Sequence, residues 1–180
     1  MKVKQIYKLL FIFILIYSIK QIYNLLNNGK YKNYINVAYA FDKNYEYITH
    51  VSMKSIMLHQ NTDTFIKFYL LVSNLTHKKK MIIKQIKYEH KNCEIYFFDM
   101  GEKYHNFSLP LSIWSTSIYY RINLQDLLSN EKKILYLDTD TLIYKDLTEI
   151  YNYNINNKYY IGMLENRYIT FFPQYNATFN

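Results

Sequence analysis

Between Asn36 and Asp99 the chain alternates short apolar runs with helically spaced segments, and this alternation narrows the possible folds sharply. The run Thr64-Phe65-Ile66-Lys67-Phe68-Tyr69-Leu70-Leu71-Val72 is apolar almost throughout and reads as a buried strand. Asn36-Val37-Ala38-Tyr39-Ala40 and Glu94-Ile95-Tyr96-Phe97-Phe98, the latter ending at Asp99, read the same way. Between the first two, Ile48, Val51, Ser55 and Leu58 recur at helical spacing from Glu46 to His59, predicting a helix with one buried stripe. A second helix is expected from about Thr76 to His90, with Met81, Ile82, Ile86 and Tyr88 on its apolar face. Strand, helix, strand, helix, strand implies an α/β fold whose sheet is mostly parallel, joined by right-handed crossovers and flanked by helices.

The remaining elements extend that layer. Gly101 to Ser112 reads as a loop, and Trp114 to Leu128 as a helix carrying Tyr119, Tyr120, Arg121, Leu124 and Leu127. Ile134 to Leu137 is a further short strand, followed by a brief helix from Asp146 to Tyr151 and a strand from Tyr159 to Leu164 that ends at Glu165. With 180 residues the chain suits one domain of ordinary size. Half of its residues are hydrophobic, which sets it apart from disordered chains. The formal charge of +8 does not point to nucleic acid, because the lysines are dispersed and their one tight run, Lys78-Lys79-Lys80, fits a solvated helix face. Cys93 is the only cysteine, so no internal disulfide exists. Three glycines cannot build a G-x-G-x-x-G or Walker A loop, and any nucleotide must be held by other means.

Residues 1–26 form a separate unit. Lys2, Lys4 and Lys8 precede the apolar run Leu9 to Ile19, and Lys20 closes it. No small-x-small cleavage site follows, and apolar residues resume at Ile22, Tyr23, Leu25 and Leu26. With Lys8 and Lys20 snorkelling, Ile6 to Leu26 is long enough to cross a bilayer. The basic residues lie on the amino side, so the expectation is an uncleaved signal-anchor with Met1 in the cytosol. Residues 27–35 would be a polar stem, and 36–180 the body on the far side, as in a type II membrane protein facing the Golgi or ER lumen. The sequons at Asn74, Asn106 and Asn176 are no more than this composition supplies by chance.

Chemistry concentrates in Lys132-Lys133-Ile134-Leu135-Tyr136-Leu137-Asp138-Thr139-Asp140-Thr141. Asp138 and Asp140 stand at the carboxyl end of a buried strand, where open α/β sheets place ligands. In extended backbone two such side chains share a face and can aim at one point. Two hard oxygen ligands suit Mg²⁺ or Mn²⁺, particularly when substrate phosphates complete the coordination.

Several motifs follow one another in order: Ala40-Phe41-Asp42-Lys43-Asn44-Tyr45 after the first strand, Tyr119-Tyr120-Arg121, Leu135-Tyr136-Leu137-Asp138-Thr139-Asp140 with Asp146-Leu147 behind it, and Gly162 to Glu165. In that order they resemble glycosyltransferase family 8, the retaining transferases that include glycogenin and lipopolysaccharide galactosyl- and glucosyltransferases. The resemblance covers residue 36 to the end. It implies a GT-A fold, a UDP-sugar donor, a glycan, glycolipid or glycoprotein acceptor, and Mn²⁺ (or Mg²⁺) on the Asp-x-Asp. By the same resemblance Asp138 and Asp140 are metal ligands, and Asp42 and Asn44 contact the uridine. Tyr45 lies against uracil, and Arg121 reaches the donor diphosphate and sugar.

The chain ends at Thr178-Phe179-Asn180, where that family continues into the rest of the sugar site and a downstream metal-binding histidine. His50, His59, His77, His90 and His105 all precede the Asp-x-Asp. The expectation is therefore a donor-binding half, either active or a membrane-tethered UDP-sugar binder without turnover. Asp138-Thr139-Asp140-Thr141 also fits the nucleophile motif of haloacid dehalogenase-like phosphatases, but that motif closes the first strand of its domain, and here three strands come earlier.

Overall fold

The computed structural model describes residues 11–19, 30–104, 106–107 and 115–154. Residues 11–19 form helix α1, whose apolar side chains are all exposed. Among the described residues no helix is long and apolar enough to cross a membrane. The rest of the expected anchor lies outside the described residues, as do Trp114 and the strand expected from Tyr159 to Leu164.

The body is built from β1 (Asn33–Asp42), α2 (Glu46–His59), β2 (Thr64–Ser73), α3 (His77–Glu89) and β3 (Cys93–Asp99). A 3-10 segment (Thr116–Asn123) runs into α4 (Leu124–Leu127), and β4 (Leu135–Tyr136) and α5 (Thr148–Asn152) follow. The four strands form one parallel sheet in the order β3-β2-β1-β4. The expected parallel α/β layer is therefore present. β1 starts three residues before the expected Asn36, because Asn33 to Ile35 pair with Thr64 to Ile66.

Alternation along the strands sorts the two faces. Ile35, Val37, Tyr39 and Phe41 of β1, with Ile66, Phe68, Leu70 and Val72 of β2, point into one core against Met53, Ile56 and Met57 of α2 and Ile83 and Ile86 of α3. On the opposite face Ala40 and Leu71 pack with Met100, Tyr104 and Tyr120, and Ala38 and Tyr69 with Leu128. Small side chains at Ala38 and Ala40 leave room for the aromatic rings of the 3-10 segment and its surroundings.

Three expectations need correction. The stripe Ile48, Val51 and Leu58 is exposed, and α2 instead buries Thr49, Ser52, Met53, Ile56 and Met57. Polar groups are tolerated inside because each is bonded: Thr49 Oγ1 donates to Tyr45 O at 2.8 Å, and Ser52 Oγ meets Tyr39 Oη at 2.8 Å. On α3, Ile83 and Ile86 are buried while Met81 and Ile82 face outward. The helix expected up to Leu128 is mostly 3-10, its amino end capped by the Ser115 side chain, which accepts from Ser117 N at 3.3 Å.

Candidate functional site

The site is assembled along the carboxyl edge of the sheet. β1 ends at Asp42, whose Oδ1 accepts from Asn44 N at 2.8 Å. This bond reverses the chain into α2, a local use of an Asp that turns favour. Tyr45 occupies the N-cap position of α2; its carbonyl accepts from Thr49 N, and its side chain is exposed. The loop is held from outside by Lys79 of α3. Lys79 Nζ donates to Lys43 O at 2.6 Å and pairs with Glu46 Oε1 at 2.6 Å. A lysine at the start of a helix has no sequence signature that announces such a clamp.

β4 is shorter than the apolar run from Ile134 to Leu137, with ladder pairing limited to Leu135 and Tyr136 opposite Val37 and Ala38. One further bond, Leu137 N to Ala38 O at 3.0 Å, carries the chain to Asp138. There the backbone turns. Asp138 O accepts from Thr141 N at 3.2 Å and from Thr141 Oγ1 at 2.7 Å. The extended geometry expected to aim Asp138 and Asp140 at one point is thus replaced by a turn, because the Thr141 hydroxyl and amide compete for the carbonyl that a strand would use. Both carboxylates are exposed on this turn.

Each has different company. Asp138 Oδ1 lies 3.5 Å from Arg121 Nη2. Asp140 lines a groove of about 320 Å³ with Tyr47, Ile48 and Val51 of α2 and Thr139, Thr141 and Leu142 of its own loop. Arg121 is fixed from two further sides: Nε donates to Ile118 O at 3.0 Å, and the guanidinium carbon sits 4.7 Å above the centroid of the Tyr136 ring. Tyr136, a strand residue by its sequence pattern, thus carries the Arg121 guanidinium on its ring. Burial pushes its hydroxyl up to about 12; nearby Arg121 works against this, while the Asp138 charge and a hydrogen bond to Asp138 add to it.

The turn is also fastened along α2. Ser52 Oγ approaches Thr141 Oγ1 at 3.4 Å, Ser55 Oγ accepts from Ile143 N at 2.9 Å, and Gln60 Oε1 accepts from Leu147 N at 3.1 Å. Asn61 N donates to Asp146 Oδ2 at 3.1 Å, and Thr148 N to Asp146 Oδ1 at 2.7 Å. Burial opposes the charge on Asp146, but these bonds outweigh it and hold the carboxyl below its ordinary value. Asp146 therefore opens α5 and anchors the loop.

The structure brings together Arg121 and Asp138, and sets Asp140 on the same turn; Asp42, Asn44 and Tyr45 form a separate loop at the end of the neighbouring strand. Among the described residues no group of three or more His, Cys, Asp or Glu is placed to hold a metal. Two exposed carboxylates do not make a closed structural site. They fit an oxygen-preferring divalent cation that takes its remaining ligands from phosphate and water.

Comparison with known proteins gives the family. The model of the glycosyl transferase family 8 matches residues 36–180. A putative glycosyltransferase of Haemophilus influenzae is 30% identical over 136 residues, which are 75% of this chain and 40% of that protein. The galactosyltransferase LgtC, solved in complex with donor and acceptor sugar analogs, superposes with a TM-score of 0.58 at 27% identity. That match spans 66% of this chain and 42% of LgtC. The bifunctional glycosyltransferase WbbM shares the fold with a TM-score of 0.57 at 23% identity, over 67% of this chain and 21% of its own. The chain thus spans about two fifths of the length of the curated relative and of LgtC. A parallel sheet shared with these GT-A-like enzymes, and a family match running from residue 36 to residue 180, establish that the chain belongs to glycosyl transferase family 8.

Proposed function

We propose that the chain binds a UDP-sugar at the carboxyl edge of its sheet and contributes to transfer of a hexose or pentose, with retention, to a glycan, glycolipid or glycoprotein. The observation that carries this reading is the meeting of Arg121 with the Asp138-Thr139-Asp140 turn beside the Asp42–Tyr45 loop. In this reading Tyr45, exposed at the start of α2, stacks on the uracil, and Asp42 and Asn44 bond its edge and the ribose. Asp138 and Asp140 hold Mn²⁺ or Mg²⁺ against the diphosphate. The ion, when bound, neutralises charge on the departing UDP. Arg121 supplies charge-assisted hydrogen bonds to the same diphosphate. The family assignment supports Asp138 as a ligand rather than as the nucleophile of a phosphatase.

Titration of the protein with UDP, with and without Mn²⁺, tests the reading beside the double variant Asp138→Asn/Asp140→Asn. Tighter UDP binding with Mn²⁺ in the wild type alone is expected. Equal affinity under all four conditions sinks the metal–diphosphate assignment. A second reading is a membrane-tethered UDP-sugar binder without turnover. Release of free UDP from UDP-sugars separates the two. Tethering of the body to a membrane through residues 1–26, with the body in the Golgi or ER lumen, is supported by the exposed apolar side chains of α1 and the basic residues before it. Recovery of the full chain in the aqueous phase after detergent partitioning would overturn it.

A further inference from the structure

Tyr136 is the point where the two charged elements of the site meet, and no feature of the site so far requires it to be aromatic. It lies in β4, on the sheet face shared with Ala38 and Ala40, where an aliphatic residue would pack as well. Its ring instead lies beneath the Arg121 guanidinium, 4.7 Å from centroid to central carbon. Two residues on, Asp138 Oδ1 stands 3.5 Å from the same guanidinium. Arg121 and Asp138 are both substantially exposed, at 41% and 60% of their side-chain surface, and an ion pair so wetted contributes little rigidity by itself. A flat guanidinium on a flat ring loses fewer rotational states than a free side chain, and the stacking leaves its N–H edge open for oxygen ligands.

We propose that Tyr136 is the positioning residue of the donor site: its ring carries the Arg121 guanidinium, so that the arginine, beside Asp138, presents preset donors to a diphosphate. The role rests on the UDP-sugar reading above. Arg121 is tied at its other end by Nε to Ile118 O, so the ring and that carbonyl together fix both the plane and the reach of the side chain. Ligand charge is then met by donors already in place rather than by side chains that must be ordered on binding.

The test compares UDP with uridine, since Arg121 acts on the diphosphate and not on the nucleoside. Tyr136→Met keeps comparable volume without a ring, and Tyr136→Phe keeps the ring without the hydroxyl. In the presence of Mn²⁺, Tyr136→Met is expected to weaken UDP by about tenfold while leaving uridine unchanged, and to add no further loss in an Arg121→Ala background. Tyr136→Phe, which keeps the ring, should keep the UDP-to-uridine ratio within about twofold. Equal weakening of UDP and uridine, or full additivity with Arg121→Ala, assigns Tyr136 to strand packing and overturns the proposal. The wild-type protein offers an independent readout, because the Arg121 side-chain protons should carry upfield ring-current shifts in its NMR spectrum. Their absence overturns the stacking whether or not a variant folds. A wild type that binds UDP no better than uridine, with ring-current shifts intact, overturns the donor reading instead.

Discussion

Arg121 and Asp138 face one another across 3.5 Å, one from the 3-10 segment and the other from the turn after β4. Neither element is long. The 3-10 segment is held by Tyr120 packed against Ala40 and Leu71, and the turn by its bonds to α2. The charged pair is therefore a product of two separate packing arrangements rather than of local sequence.

Replacing Arg121 by alanine should leave stability within about 1 kcal/mol, because the ion pair is exposed. If the chain turns over UDP-sugar, the same change should slow release of UDP on the order of a hundredfold, the loss typical for removal of one fixed donor from a reacting charge. Thermal unfolding beside a UDP-release assay reads both outcomes.

Gln60 fixes the far end of the turn-bearing loop. Its Oε1 accepts from the buried Leu147 N, and its Nε2 donates to Thr148 Oγ1 at 3.2 Å. Gln60→Ala leaves a buried amide without its partner and should cost about 1–3 kcal/mol in urea unfolding. Gln60→Glu, which keeps an acceptor for Leu147 N, should recover part of that loss.

The two faces of α2 make opposite predictions. Ile56 is fully buried, whereas Leu58 is 73% exposed. Ile56→Ala should destabilise by about 2–5 kcal/mol, and Leu58→Ala by no more than about 0.5 kcal/mol. Urea midpoints of the two variants test which stripe of the helix meets the sheet.

Glu131 gathers three donors beneath the sheet: Tyr69 Oη at 2.5 Å, Asn36 Nδ2 at 2.9 Å and Lys67 Nζ at 3.1 Å. Burial opposes its charge, but these partners outweigh burial and hold the carboxyl below its ordinary value of 4.5. A carboxyl depressed in the folded state stabilises fully above its unfolded value and loses that contribution as pH falls through the lower folded value. The stability gap between wild type and Glu131→Gln should therefore be widest near neutrality and shrink below about pH 4.5, as read from urea midpoints across that range. A gap that is constant with pH would remove Glu131 from the acid response.

Sequence alone determined the parallel α/β layer, since continuous apolar runs such as Phe68 to Val72 leave a strand no solvent face and the helices between them impose parallel crossovers. It also marked Asp138, Asp140 and Arg121 as candidate site residues from their types and order. It misjudged the buried stripe of α2, because Thr49 and Ser52 look polar until Tyr45 O and Tyr39 Oη are found bonded to them. It drew Asp138 and Asp140 as an extended pair, where Thr141 folds them into a turn. Tyr136 beneath Arg121, Lys79 on Lys43 O and Gln60 on Leu147 N join residues far apart in the chain. Such contacts leave no periodicity in a sequence, and only the packing of helix on sheet decided them.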